Sequence, residues 1–218
     1  MPRLYLKRKF DIRVWVLYNS ADGKVYVFKE PYVRTSSKEY VKYDPEIPNE
    51  EQIFMQLTNN AIQKDGEDYG KFEEGNIISI DTLFEHIAAD PQHDSVAGKS
   101  KDTLESEFKE SMIKLIQDSM KSVKGKFLQQ RYTFELLGYD FILDEQMNTI
   151  LIECNTNPCL EESNRLLKHL IPRMIDNLLC IVMDPLFVNG SGKDENGYAM
   201  KTHEKHKSKF RVPGDIFS

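Results

Sequence analysis

The runs GYDFILD (138–144) and TILIECN (149–155), separated by the polar segment EQMN, constrain this chain more than any other feature. Both are rich in Ile, Leu, Phe and Tyr, and the segment between them is short and polar, so together they read as one β-hairpin. If residues 145–148 form the loop, Asp144 faces Thr149. Counting outward then sets Asp140 opposite Glu153, where cross-strand side chains lie about 5 Å apart. Asn155, two residues on, shares the face of Glu153. Two carboxylates and an amide oxygen on one sheet face are hard oxygen ligands of the kind Mg²⁺ takes while keeping positions open for phosphate oxygens. A solvated strand face is the competing explanation, because antiparallel sheets often leave one face in water.

A second hairpin is predicted near the start. KFDIRVWVLY (9–18) alternates, with Phe10, Ile12, Val14, Val16 and Tyr18 on one face and Lys9, Asp11 and Arg13 on the other. A turn at residues 20–24 leads into VYVFKE (25–30), and Arg34 follows in YVRTSS. Residues 1–43 carry ten Lys and Arg against four acids, a net +6 within a chain of net −6. Such asymmetry suggests that the basic part meets anions, although a solvated basic strand face is the commoner meaning of such a pattern. In MQLTNNAIQK (55–64), Thr58, Asn59 and Asn60 suit either phosphate binding or the capping of a helix.

Taken in order, KFDIRVWV, YVRTSS, LTNNAIQK, YGKFEEGN and FELLGYDFILDE…LIECNTNP resemble the second half of the catalytic region of the tubulin tyrosine ligase-like family, from about Leu4 to about Phe187. The resemblance implies an α+β, ATP-grasp-like antiparallel sheet flanked by helices. It also implies an ATP-dependent ligase that joins an amino acid to a protein, usually tubulin, through an acyl phosphate. On that likeness Asp140, Glu153 and Asn155 match magnesium ligands, and Lys9 and Asp11 match nucleotide-contacting positions. Arg13 and Arg34 match the arginines near the γ-phosphate and the incoming amino acid, and Thr58 and Asn59 match a polar loop on the phosphate side. The implied cofactors are ATP and Mg²⁺, and the implied partners are an amino acid, glutamate in preference to glycine or tyrosine, and the acidic tails of tubulin.

The chain departs from the family pattern in two places. Gln56 stands where many members carry a histidine before the LTN triplet, and only eight residues precede Lys9, whereas the family's N-terminal part of the ATP-grasp unit, with its nucleotide lysines, lies upstream of this strand. The expectation is therefore the C-terminal part of the catalytic fold over 1–187. A non-catalytic relative that binds tubulin or another partner through its basic strand face and tail is the alternative.

The remaining elements follow from periodicity. ISIDTLFEHI (78–87) predicts a short helix capped by Asp81 inside an otherwise loop-rich stretch, and 90–101 reads as a flexible excursion. His86 and His93 read as surface or packing residues, since neither has a second ligand at metal spacing. Leu104, Phe108, Met112, Leu115, Ile116, Met120 and Val123 predict an amphipathic helix ending near Gly125. Leu166 to Leu179 predict another, kinked or divided at Pro172. Residues 188–218 read as a flexible basic tail, with five Lys and Arg against one Glu in KTHEKHKSKFR.

With 40% hydrophobic and 29% charged residues, composition is that of a globular domain. The three cysteines have no framework spacing, which favours a reducing compartment. No apolar run approaches the ~18 residues of a membrane span. The expectation is a monomer of the cytoplasm or cytoskeleton, with cilium or basal body implied by the resemblance, that meets neither membrane nor nucleic acid.

Overall fold

The computed structural model describes residues 1–90, 96–126, 132–184 and 210–211. Among the described residues eight antiparallel strands form one sheet, as the α+β expectation requires. Its spine is β2 (Arg8–Asn19), the strand predicted from the strict alternation. One edge of β2 pairs with β6 (Phe134–Leu143), which in turn pairs with β7 (Thr149–Asn155). The other edge pairs with β4 (Tyr32–Glu39) along residues 8–13 and with β3 (Lys24–Phe28) along residues 16–19. Short strands β1 (Leu4–Tyr5), β5 (Ile77–Ser79) and β8 (Phe210–Arg211) extend β2, β4 and β3.

Helices cover both faces, so the single charged face expected for β2 is corrected. Phe10, Ile12, Val14 and Val16 pack on α3 (Ile80–Ala88) and α4 (Lys101–Val123). On the opposite face Trp15 and Leu17 pack with Tyr26, Phe28 and Tyr32 beneath α5 (Arg165–Val182). That face is polar towards its ends, at Asp11 and Arg13 and again at Asn19, and these three are buried as well. Fully burying side chains of this size contributes about 1.5–3 kcal/mol each, so β2 is anchored from both sides and makes a rigid base for charged groups.

Several boundaries differ from expectation. α1 (Asn49–Gln56) and β5 lie in stretches whose periodicity was too short to predict them. Ser79, not Asp81, caps α3: its hydroxyl accepts from Thr82 N, while Asp81 sits in the first turn. α5 runs undivided through Pro172. The buried face continues on both sides of the proline, from Leu167, Leu170 and Ile171 to Met174 and Leu178, and packing on the sheet offsets the lost backbone bond. Leu179 is exposed rather than on the buried face. His93 and the rest of residues 91–95 of the 90–101 excursion, like residues 188–218 apart from Phe210 and Arg211, lie outside the described residues. Those two pair with Val27 and Phe28 on the edge of β3. Among the described residues no helix is long and apolar enough to cross a membrane.

Candidate functional site

The β6–β7 hairpin places Asp140 opposite Glu153, as predicted, but by a different register. Thr149 faces Leu143 rather than Asp144. Asp144 is drawn into the loop because its side chain accepts from Asn148 N and Nδ2, both at 2.8 Å, and its backbone bridges Pro2. A bulge then inserts Ile152 between the Phe141–Leu151 and Asp140–Glu153 pairs, restoring the expected partner. The two one-residue departures cancel at the rung that matters.

Asn155 completes the trio. Its Nδ2 donates to Glu153 Oε1 at 2.9 Å and to Asp140 Oδ2 at 3.4 Å, so all three groups lie within the span of one ion. Rotation of the amide presents its oxygen instead of its nitrogen. Two carboxylates and an amide oxygen suit Mg²⁺, and the donor set fits it. Cys154 faces Tyr139, a member of the core under α3 and α4, and so points away from Glu153.

The two acids differ in surroundings. Glu153 is exposed, whereas Asp140 is 1% exposed and lies on two arginines. Arg13 donates to it with Nε and, at 3.0 Å, with Nη2, and Arg34 Nη2 reaches Oδ2 at 2.9 Å. Burial alone would raise the Asp140 carboxyl, but hydrogen bonds from Arg13 and the charges of Arg34 and Arg13 outweigh it and hold it below the usual range. Arg34 also grips Asp11 with two parallel bonds, Nε to Oδ1 at 2.7 Å and Nη2 to Oδ2 at 2.8 Å. Thr58 Oγ1 donates to the same Asp11 Oδ2. Two buried guanidinium groups and two buried carboxylates thus alternate across β2, β4 and β6.

These groups border a cleft of about 360 Å³. Of the nine residues the sequence singles out, Arg13, Arg34, Asn59, Glu153 and Asn155 line it. Asp140, Asp11 and Thr58 do not; they form the layer behind the arginines. Lys9 is half-buried on the Asp11 side and lines no part of the cleft; burial lowers its ammonium pKa against the opposing charge of Asp11. Asn59 occupies the N-cap position of α2 (Asn60–Gln63) without making a side-chain cap bond, so capping is not what its amide does. Gln56, the departure from the family pattern, bonds to Val41 O and is not part of the lining.

Three acids from beyond residue 43 offset half of the net +6 of residues 1–43, and Asp11, already counted in it, takes Arg34. Arg3 pairs with Asp90, Arg8 with Glu73, Arg13 with Asp140 and Arg34 with Asp11. Most of these acids lie far along the chain, where no local pattern reveals them.

Sequence reasoning missed Lys64, Glu161 and Tyr32 in the lining, and above all Gly138. A Cβ on Gly138 would lie 2.8 Å from Pro158 Cβ, 3.2 Å from Arg13 Nη1 and 3.3 Å from Arg13 Cζ. The bare backbone there lets Arg13 lie flat against β6 and lets the segment after β7 fold over it. Gly138→Ala is expected to cost about 1–3 kcal/mol by overpacking, read as a lower urea midpoint. An unchanged midpoint would show that Arg13 and Pro158 move aside freely.

The profile of the Tubulin-tyrosine ligase family matches residues 1–190. Tubulin glycylase 3D of Tetrahymena thermophila is 30% identical over 195 residues, 88% of this chain and 18% of the relative. Tubulin glycylase 3F of the same organism is 32% identical over 184 residues, 84% of this chain and 19% of the relative. A probable alpha-tubulin polyglutamylase, Ttll1, also of Tetrahymena thermophila, is 30% identical over 193 residues, 88% of this chain and 44% of the relative. The chain therefore spans less than half the length of each.

Proposed function

Because the chain belongs to the tubulin-tyrosine ligase family, we propose that it carries the metal and amino-acid side of an ATP-dependent ligase that attaches glutamate to tubulin or another protein. The observation that supports this reading is the convergence of Glu153, Asn155, Arg13 and Arg34 at one cleft, with Asp140 behind the arginines and within reach of Asn155.

The chemistry asks for such a set. A carboxylate is a poor electrophile, so the protein carboxylate takes the γ-phosphoryl group of ATP and becomes an acyl phosphate. The amine of the incoming amino acid then displaces phosphate. Mg²⁺ held by Asp140, Glu153 and Asn155 would neutralise charge on the phosphoryl oxygens. Arg13 and Arg34 line the cleft with Nε and Nη2 taken by their aspartates, which orients each guanidinium and leaves Nη1 to donate to a phosphate or carboxylate oxygen. Preorganised charge of this kind supplies stabilisation mainly by electrostatics. Lys64 adds a third cation to the lining, matching the second carboxylate of glutamate, while Glu161 supplies an acceptor for its ammonium group. Next to Glu153 the edge strand exposes Ile150 and Ile152, an apolar surface suited to a nucleotide base. The implied setting is cytoplasmic and cytoskeletal, with the protein acting as a monomer.

The test is incorporation of labelled glutamate, glycine or tyrosine into tubulin in the presence of MgATP. Glutamate incorporation is expected; incorporation of none of the three rejects the ligase reading, and glycine alone corrects the substrate. One observation favours a second reading, a non-catalytic tubulin binder: the Asp140 carboxylate lies behind the cleft lining and is already shared by Arg13 and Arg34. Co-sedimentation with microtubules without incorporation would support it.

A further inference from the structure

Building on the ligase reading, we infer that residues 64–76 form a spacer that fixes α2 and the start of α5 relative to each other at the cleft, with Tyr69, Gly75 and Asn164 as positioning residues for its amino-acid end.

Both elements contribute to the lining, α2 and its flanks through Asn60 and Lys64, α5 and the segment before it through Glu161 and Leu167. They lie far apart in sequence, yet each is tied to the same short loop. Tyr69 Oη donates to Asn60 Oδ1 at 2.7 Å. From the other element, Asn164 Nδ2 donates to Glu74 O at 2.8 Å, while its Oδ1 accepts from Leu167 N at 2.8 Å and so caps α5. Tyr69 and Asn164 meet at Gly75, where a Cβ would lie 3.3 Å from Tyr69 Oη and 3.5 Å from Asn164 Cβ. Gly75 has a φ of 67°, in the left-handed region that glycine enters without penalty. The side chain bonded to α2 and the side chain capping α5 therefore pack on one bare backbone unit.

The loop is itself fastened to the sheet. Buried Asn76 donates with Nδ2 to Thr35 O at 3.2 Å and to Ser37 Oγ at 2.8 Å, and its Oδ1 accepts from Gly70 N at 2.8 Å. Glu73 pairs with buried Arg8 and accepts from Thr35 Oγ1 at 3.1 Å. A satisfied polar network of this kind rigidifies what it joins, so α2 and the start of α5 are both referred to β4. Lys64, the C-cap residue of α2, and Glu161, shortly before α5, are the groups that meet the second carboxylate and the ammonium of glutamate on the ligase reading. The spacer sets their separation. Burial, and after it the charge of Glu161, raise the Tyr69 phenol above its ordinary range, so its hydroxyl keeps the proton it donates to Asn60.

Tyr69→Phe removes the bond to Asn60 and keeps the ring. Asn164→Ser keeps an acceptor for the helix cap and removes the donor to Glu74 O. The first readout needs no ligand: amide hydrogen exchange followed by NMR, which reports local opening. Tyr69→Phe should speed exchange of Lys64 N–H, which bonds Asn60 O, and Asn164→Ser that of Lys168 N–H, which bonds Asn164 O. Each is expected to rise about three- to tenfold, the worth of one neutral hydrogen bond, with the amides of β2 at their wild-type rates. Gly75→Ala should speed both at once. The second readout is incorporation kinetics: KM for the incorporated amino acid should rise by a similar factor in Tyr69→Phe and Asn164→Ser, with kcat within about twofold, as for a loss of ground-state binding. Unmoved Lys64 and Lys168 amides, or an equal acceleration throughout β2, overturn the inference, and so does an unchanged KM in variants whose amides have loosened. Should the wild-type chain incorporate no amino acid, the ligase reading fails while the exchange rates still decide whether the loop is the spacer.

Discussion

Glu153→Gln is expected to lower amino-acid incorporation on the order of 10²- to 10³-fold, the size of effect seen when one preorganised electrostatic group is removed from an active site. The same change should leave the fold untouched. Glu153 is exposed on an edge strand, and its hydrogen-bond contact is Asn155 Nδ2, for which glutamine keeps an acceptor oxygen. Substitutions at such positions usually change stability by about 0.5 kcal/mol or less. The charge alone is lost, and with it half of the negative charge the trio offers a divalent ion. Paired thermal melts and incorporation assays check the split. Activity near wild type would remove Glu153 from the metal site and leave Asp140 as a structural partner of the arginines.

That a pair of acids on one hairpin separates into two environments, one buried and one exposed, was only half legible in the sequence. The hairpin and the Asp140–Glu153 rung follow from period-2 patterning. The longer loop and the bulge at Ile152 do not, because they depend on Asp144 bonding Asn148 and bridging Pro2. α4 was readable because its apolar stripe runs for six turns, whereas α1 presents only Gln52 as a fully buried residue and gives no periodic signal. Burial of the second face of β2 was concealed because its polar end, Asp11 and Arg13, comes first and is paired with groups on β4 and β6. Gly138 stood inside the most informative motif, but its role depends on Pro158 and Arg13 approaching from other parts of the fold.

Asp140→Asn should behave in the opposite way to Glu153→Gln and destabilise the whole sheet. Asp140 neutralises Arg13 and shares Arg34, and both guanidinium groups are buried. Removing its charge leaves Arg34 with Asp11 but Arg13 without its carboxylate. Breaking a buried ion pair from one side costs about 3–5 kcal/mol, a large share of the 5–15 kcal/mol typical of a domain. A urea midpoint near wild type would show that water or another group takes over the pairing. Acid makes a second, independent check. The folded-state carboxyl of Asp140 lies below its ordinary value, so the stabilisation it contributes is present above the unfolded value of about 3.9 and is lost as pH falls through the depressed one. Wild type and variant should therefore differ most near neutrality and converge as the pH drops below that of an ordinary aspartate. A gap that stays constant into strong acid would mean that the aspartate's shape, not its charge, is what the two arginines require.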